Sequence, residues 1–211
     1  MFVRSAWRPR SDEEAFALIE RHPWALLVNN GPRGPYVTNV PLMLDRSSGK
    51  AVLIGHLARA NNHAEVLQAA TDPTLAVFQG PYSYVTSSWY PDRDMPPTYY
   101  YTAVHCYGRP QIQSDEILGR WLEVLTDRYE RAYAAGWSTS EIEPEAITRR
   151  LKAIVGFEMP IEWMEAKFKL GQDEPKKDAL AVASQLASDP TQRSLADLIC
   201  SYNVDRSEGR T

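Results

Sequence analysis

Four side chains in this sequence can take up or release a proton near neutral pH: His22, His56, His63 and His105. His22 stands before Pro23 at the end of a helical stretch, where a cation suits the helix dipole. His56 and His63 bracket Gly55-His56-Leu57-Ala58-Arg59-Ala60-Asn61-Asn62-His63, which leaves a strand and enters a helix. Backbone N–H groups at a helix start favour anions such as a phosphate or a propionate. His56, Arg59, Asn61 and His63 are therefore candidate cofactor-binding residues; ordinary capping and turn hydrogen bonding is the competing reading. Their seven-residue spacing is not that of a zinc site. His105 lies in Tyr101-Thr102-Ala103-Val104-His105-Cys106-Tyr107, where alternation puts Tyr101, Ala103, His105 and Tyr107 on one face.

Aromatic residues are concentrated beside that strand. Tyr82, Tyr84, Trp89, Tyr90, Tyr99, Tyr100, Tyr101 and Tyr107 fall within 26 residues. Tyrosine and tryptophan combine apolar area with one polar handle. Around a pocket they suit a flat, conjugated cofactor, which makes Tyr84, Trp89 and Tyr101 candidate walls; in a core they simply pack. No glycine-rich phosphate loop, Gly-x-Ser-x-Gly elbow or His-Glu-x-x-His pair occurs.

These residues are carried by many short strands. Ser11-Asp12-Glu13-Glu14 opens a helix that Pro23 ends. Trp24–Val28 reads as a buried strand, Tyr36–Leu44 as a second and Ala51–His56 as a third, with turns between them. Asn61–Ala70 reads as a helix, and Thr74–Gln79 as a strand that Gly80-Pro81 breaks before Tyr82–Ser87 resumes it. A proline-rich loop spans Trp89–Pro97, and a β-rich run continues from Tyr99 towards Ile112. Helical spacing then places Ile117, Leu118, Trp121, Leu122, Leu125 and Tyr129 on one face. A short helix over Glu145–Ile154, a strand pair or long strand over Val155–Phe168 and a helix over Lys176–Leu186 follow. This pattern predicts a mainly β fold with peripheral helices (α+β), a barrel over residues 1–186, with 187–211 as a weakly patterned C-terminal tail.

Composition bounds the rest. Of 211 residues, 44% are hydrophobic and 24% charged, a globular balance. No apolar run is long enough to span a bilayer, and the N-terminus lacks the apolar stretch of a secretory signal. Two cysteines provide no disulfide framework, so a reduced, cytoplasmic setting is expected. The net charge of −4 and a pI of about 5.6 argue against direct DNA binding.

Several segments together resemble one family. His56-Leu57-Ala58-Arg59-Ala60-Asn61 is similar to the His-x-Ala-Arg-Ala-Asn-Pro element of PaiB-type proteins. Phe78–Tyr90 resembles their central block, and Pro97-Thr98 with Tyr101–Gly108 resembles their Pro-Thr-Trp-Asn-Tyr-x-Ala-Val-His-x-Tyr-Gly block. Val155–Glu158 and Lys167–Gln172 resemble their C-terminal signature. The chain is thus identified as a member of the PaiB-type branch of the FMN-binding split-barrel superfamily. It departs from the pattern at Asn39, at Asn62, at Tyr99-Tyr100 in place of Trp-Asn, and at Gly171–Pro175 in place of Ser-Gln-Asn-Arg-Ser.

The resemblance implies a split β-barrel, a homodimer and a cofactor cleft near the subunit interface. Two functions follow. One is a heme-dependent enzyme of the piperazate-synthase kind, closing N5-hydroxyornithine through an N–N bond. Heme b would take His56 as axial ligand. Lys167, Lys169, His63 or His105 would serve as a second ligand or as acid/base groups, and Arg59 or Arg109 would hold a carboxylate or propionate. The other is an FMN-binding negative transcriptional regulator without enzymatic activity, and a flavin oxidoreductase is a third reading by fold analogy.

Overall fold

Residues 12–21 carry acids in their first turn and an arginine in their last, and they form helix α1 (Asp12–Arg21), which buries Ala15, Leu18 and Ile19. The computed structural model describes residues 1–206. Its chain resolves into two compact units. The first comprises residues 1–18, 78–105 and 165 onward; the second comprises 19–77 and 106–164.

In the second unit, β1 (Trp24–Gly31) pairs antiparallel with β2 (Gly34–Pro41), from Trp24 opposite Pro41 to Gly31 opposite Gly34. Gly34 has φ +108°, a conformation that only glycine adopts without strain, and this closes the hairpin around Pro32-Arg33. β1 is not the wholly buried strand that its apolar run predicts. Ala25 and Leu27 point inward, while Trp24 is 63% and Leu26 39% exposed. Pro41 ends β2, so the expected single strand splits, and β3 (Met43–Asp45) joins another sheet. That sheet has the order β3-β4-β8-β7, built from β4 (Val52–Ala58), β7 (Gln111–Ile112) and β8 (Ile154–Pro160), all antiparallel. Helices α2 (Asn62–Gln68), α3 (Asp115–Glu130) and α4 (Pro144–Leu151) complete the unit.

The other sheet has the order β2-β1-β5-β6-β9, with β5 (Thr74–Val85), β6 (Thr98–Gly108) and β9 (Trp163–Lys169). Gly80-Pro81 does not break β5. It shifts the phase of burial, so Phe78 and Gly80 are buried while Tyr82 and Tyr84 are exposed. Gly80 is needed at this point because a Cβ would meet the Thr102 hydroxyl at 2.3 Å.

Two helices close the first unit. α5 (Lys176–Leu186) buries Ala179, Val182, Ala183 and Leu186. The stretch after 187 is a correction to the expected tail: Arg193–Asn203 forms α6, with Leu195, Ala196, Ile199 and Asn203 buried at helical spacing. Residues 207–211 lie outside the described residues. Both cysteines are free thiols. No helix among the described residues is long and apolar enough to cross a membrane.

Candidate functional site

The predicted residues separate into two groups. His56, Arg59, Asn61 and His63 belong to the second unit, and Tyr84, Trp89, Tyr101, His105, Lys167 and Lys169 to the first.

The first-mentioned group is occupied in holding its own unit together. His56 is half-buried at a recess of about 10 Å³ lined by Met43, Ile54, Leu118, Trp121, Leu122 and Leu125. Such a volume holds about one water, so heme ligation by His56 requires α3 to move. Burial also lowers the His56 pKa. Arg59 closes the C-terminal end of α4: Nε donates to Lys152 O at 2.8 Å and Nη2 to Ile154 O at 2.8 Å. Arg59→Ala should therefore cost about 1.5–3 kcal/mol, the range for hydrogen bonds from a charged group. A urea titration measures the loss; a changed cofactor spectrum at unchanged stability would contradict this role. Arg109 is likewise engaged, with Nη1 2.6 Å from a Glu162 oxygen and Nε donating to Thr71 O.

Asn61 caps α2, its Oδ1 accepting from His63 N at 2.9 Å. The His63 ring is buried, 2% exposed, with both nitrogens engaged. Asn29 Nδ2 donates to Thr74 Oγ1, so Asn29 Oδ1 is left to accept from His63 Nε2 at 3.0 Å. His63 Nδ1 then accepts from Thr38 Oγ1 at 2.8 Å, and that oxygen accepts from Asn61 Nδ2. This chain of donors fixes a neutral imidazole, and burial lowers its pKa accordingly. The capping and turn reading thus describes the hydrogen bonds of Asn61 and His63.

The first unit gathers the remaining candidates. On β6, Tyr99, Tyr101 and His105 share the more accessible face, as alternation predicts, while Tyr100, Thr102 and Val104 are buried. Tyr84 and Tyr99 meet edge-on, with ring centroids 5.6 Å apart, and Tyr82, Tyr84 and Tyr99 are each about half exposed. Lys167 Nζ lies 5.2 Å from the Tyr101 ring and 4.5 Å from the Trp7 ring. Lys169 Nζ donates to Thr98 Oγ1 and lies 5.8 Å from the Trp7 ring. Burial lowers the His105 pKa; the Met1 ammonium acts in the same direction and Glu165 opposes it. Trp89 is half-buried on a short 3₁₀ turn, Ser87–Trp89.

Sequence reasoning missed Arg4, Trp7 and Asp173. Trp7 is buried, donates through Nε1 to Asp173 Oδ1 at 3.0 Å, and carries the Arg4 guanidinium 5.0 Å from its ring. Arg4 also pairs with Asp173 at 3.1 Å. The available signal was a lone aromatic in a basic segment, Arg4 to Arg10. Two departures from the family pattern meet in space: the Tyr100 hydroxyl donates to Glu174, in the loop after β9. Burial raises the pKa of both groups.

Strand order and site thus describe a split barrel with helices around it, and solved structures share that fold. The FAD and heme binding protein of Mycobacterium smegmatis superposes with TM-score 0.59 at 17% identity, covering 77% of this chain and 73% of that one. A structure described as a putative 5-nitroimidazole antibiotic resistance protein from Bacteroides thetaiotaomicron gives 0.56 at 14% identity, covering 75% and 84%. Residues 1–163 match the family described as "Putative FMN-binding domain", and the chain belongs to it. Protease synthase and sporulation protein PAI 2 of Bacillus subtilis is 28% identical over 201 residues, covering 94% of this chain and 96% of that protein. An uncharacterized Saccharomyces cerevisiae protein, YKL070W, is 34% identical over 110 residues, 49% of this chain and 64% of its own.

The site fits the family's flavin on chemistry. Tyr82, Tyr84, Tyr99 and Tyr101 offer ring faces and edges to a flat ring system, and the Lys167 and Lys169 ammonium groups offer charge to a phosphate.

Proposed function

We propose that the protein binds FMN on the tyrosine-bearing face of β5 and β6 and acts as a PaiB-type regulatory protein without catalytic turnover. The observation that supports this reading most is the set of accessible rings Tyr82, Tyr84 and Tyr99 beside Tyr101 and two lysines. Soluble domains rarely leave such an aromatic area uncovered without a use for it. An acidic sequence with no recognisable helix-turn-helix motif fits regulation through another protein better than regulation through duplex DNA. The test is the visible spectrum of the purified protein followed by titration with FMN. Paired flavin bands, or fluorescence quenching that saturates and is lost in Tyr99→Ala, support the reading. No flavin bands and no saturable quenching overturn it.

A second reading is favoured by His105, half-buried on the same face of β6 as Tyr99 and Tyr101. It is a heme-dependent closure of N5-hydroxyornithine through an N–N bond, with His105 rather than His56 as the axial ligand. A Soret band that His105→Ala abolishes would support it, and its absence after heme titration would remove it.

The protein should also form a homodimer. Trp24, Leu26 and Val37 in one unit and Tyr82, Tyr84 and Tyr99 in the other are exposed apolar or aromatic side chains. Light scattering with FMN present should give twice the chain mass; a monomer at micromolar concentration contradicts the expectation.

A further inference from the structure

The second unit holds a cavity of about 290 Å³ between the end of β1 and the loop that joins α2 to β5. It shares no residue with the tyrosine-bearing face of β5 and β6. Sites for drug-sized ligands run from about 300 to 1,000 Å³, so this one suits a small molecule. Asn29 is the buried member of its lining. Both ends of the Asn29 amide are engaged, by Thr74 and by His63, which holds that wall in place.

The lining divides by chemistry. Pro32, Val66, Ala70 and Pro73 contribute apolar surface, and Asn30, Thr71 and Asp72 contribute exposed polar side chains. Asp72 is the one charged side chain among the described residues of the lining, which includes no lysine, arginine or histidine. Ala69, the C-cap of α2, also lines the cavity, so the carbonyl end of that helix adds negative partial charge at the same place. Two cations stand near in the structure without joining the lining. Arg109 donates through Nε to Thr71 O, but its charge is matched by Glu162, 2.6 Å from Nη1. Arg33 is exposed in the hairpin turn that follows β1.

We propose that this cavity binds a small free amine in its protonated form, a primary ammonium on a short alkyl chain. The ammonium sits against Asp72, with Asn30 and Thr71 as further acceptors, and the chain lies along Val66, Pro32 and Pro73. An ammonium has three donors and no acceptor, while a carboxylate, an amide oxygen and a hydroxyl all accept. The Asp72 charge and the carbonyl end of α2 both disfavour an anion of the same size. Each methylene covered by the apolar wall should raise affinity by up to roughly fourfold. The inference holds whether or not the protein binds a flavin.

The experiment records amide proton–nitrogen correlation spectra of the full chain during titration with n-butylammonium, ethylammonium, n-butanol and butyrate. Butylammonium should give saturable shifts at Asn30, Gly31, Thr71 and Asp72; ethylammonium should bind more weakly, and butanol and butyrate should not saturate. Asp72→Asn, at an exposed side chain, should weaken butylammonium by about tenfold or more, the size of one charge-assisted contact. Glu65→Gln removes an exposed acid of α2 outside the lining and should leave Kd unchanged, which separates the site from general attraction to an acidic chain. Ala70→Leu narrows the cavity and should weaken butylammonium more than ethylammonium. Nα-acetyl-lysine amide carries the same ammonium on a peptide backbone. Its binding more tightly than butylammonium would overturn the free amine and assign the cavity to a lysine side chain of another protein. The proposal also fails if butylammonium gives no saturable shift, if butyrate binds equally well, or if Asp72→Asn leaves Kd unchanged.

Discussion

Gly108→Ala should destabilise the fold by about 3 kcal/mol or more, enough to prevent accumulation of folded protein in most hosts. A Cβ at this position would stand 2.0 Å from Pro160 O and 3.1 Å from both Pro160 C and Met159 Cγ. The obstacle is backbone, so no rotamer change relieves it. Gly119, within α3, is the control. There a Cβ meets only Leu151 Cδ1 at 3.7 Å, an ordinary contact. Gly119→Ala should stabilise by about 0.5–1 kcal/mol through helix propensity. Urea midpoints of the two variants should move in opposite directions. A Gly108→Ala protein with wild-type stability would contradict the close approach of the end of β6 to β8.

The second large effect is expected at His63. Its removal leaves Asn29 Oδ1 without its donor in a buried position and costs Thr38 its acceptor. His63→Ala should lose about 2–3 kcal/mol, since an orphaned buried polar group costs more than the hydrogen bond itself contributed. The same network predicts a pH dependence. Burial is the first cause of a lowered pKa at His22, His56, His63 and His105. Below 6.5, the ordinary value, the unfolded chain takes up protons that the folded chain still refuses. Stability is therefore fully present above that value and declines as pH falls from it towards the folded pKa values. At His63 the added proton would sit on Nδ1, facing Thr38 Oγ1, and would force that hydroxyl to reverse. Urea midpoints measured from about pH 7.5 down to about pH 5.5 should fall, and His63→Ala should flatten the slope. A slope that persists unchanged in His63→Ala would assign the acid sensitivity to the other three histidines.

Helices α1 and α3 and the presence of most strands were legible because their apolar spacing is strong, and Ser114 caps α3 with acids in its first turn; the strand limits at Pro41 and Gly80-Pro81 were not, because they depend on which sheet each strand joins. The face of β6 was legible for the same reason, since alternation is a property of one strand. Roles that depend on partners far along the chain were not. Arg59 looks like an anion donor in its own segment, yet its partners are carbonyls some 93 and 95 residues away. Trp7 meets Asp173 across 166 residues, and no local pattern announces that contact. Helix α6 was missed because its flanks are rich in Ser, Asp and Arg, which obscured an apolar stripe of only three residues and one buried asparagine.

The two thiols have opposite reactivity. Cys106 is buried in β6, and burial pushes its pKa up to about 12, while Cys200 is exposed on α6. A thiolate-seeking reagent at neutral pH therefore has one accessible target. Without any engineered change, the wild-type chain accepts a single fluorophore or spin label at Cys200. Its signal reports on the helix pair α5 and α6, whose first turn follows directly on the Glu174 loop.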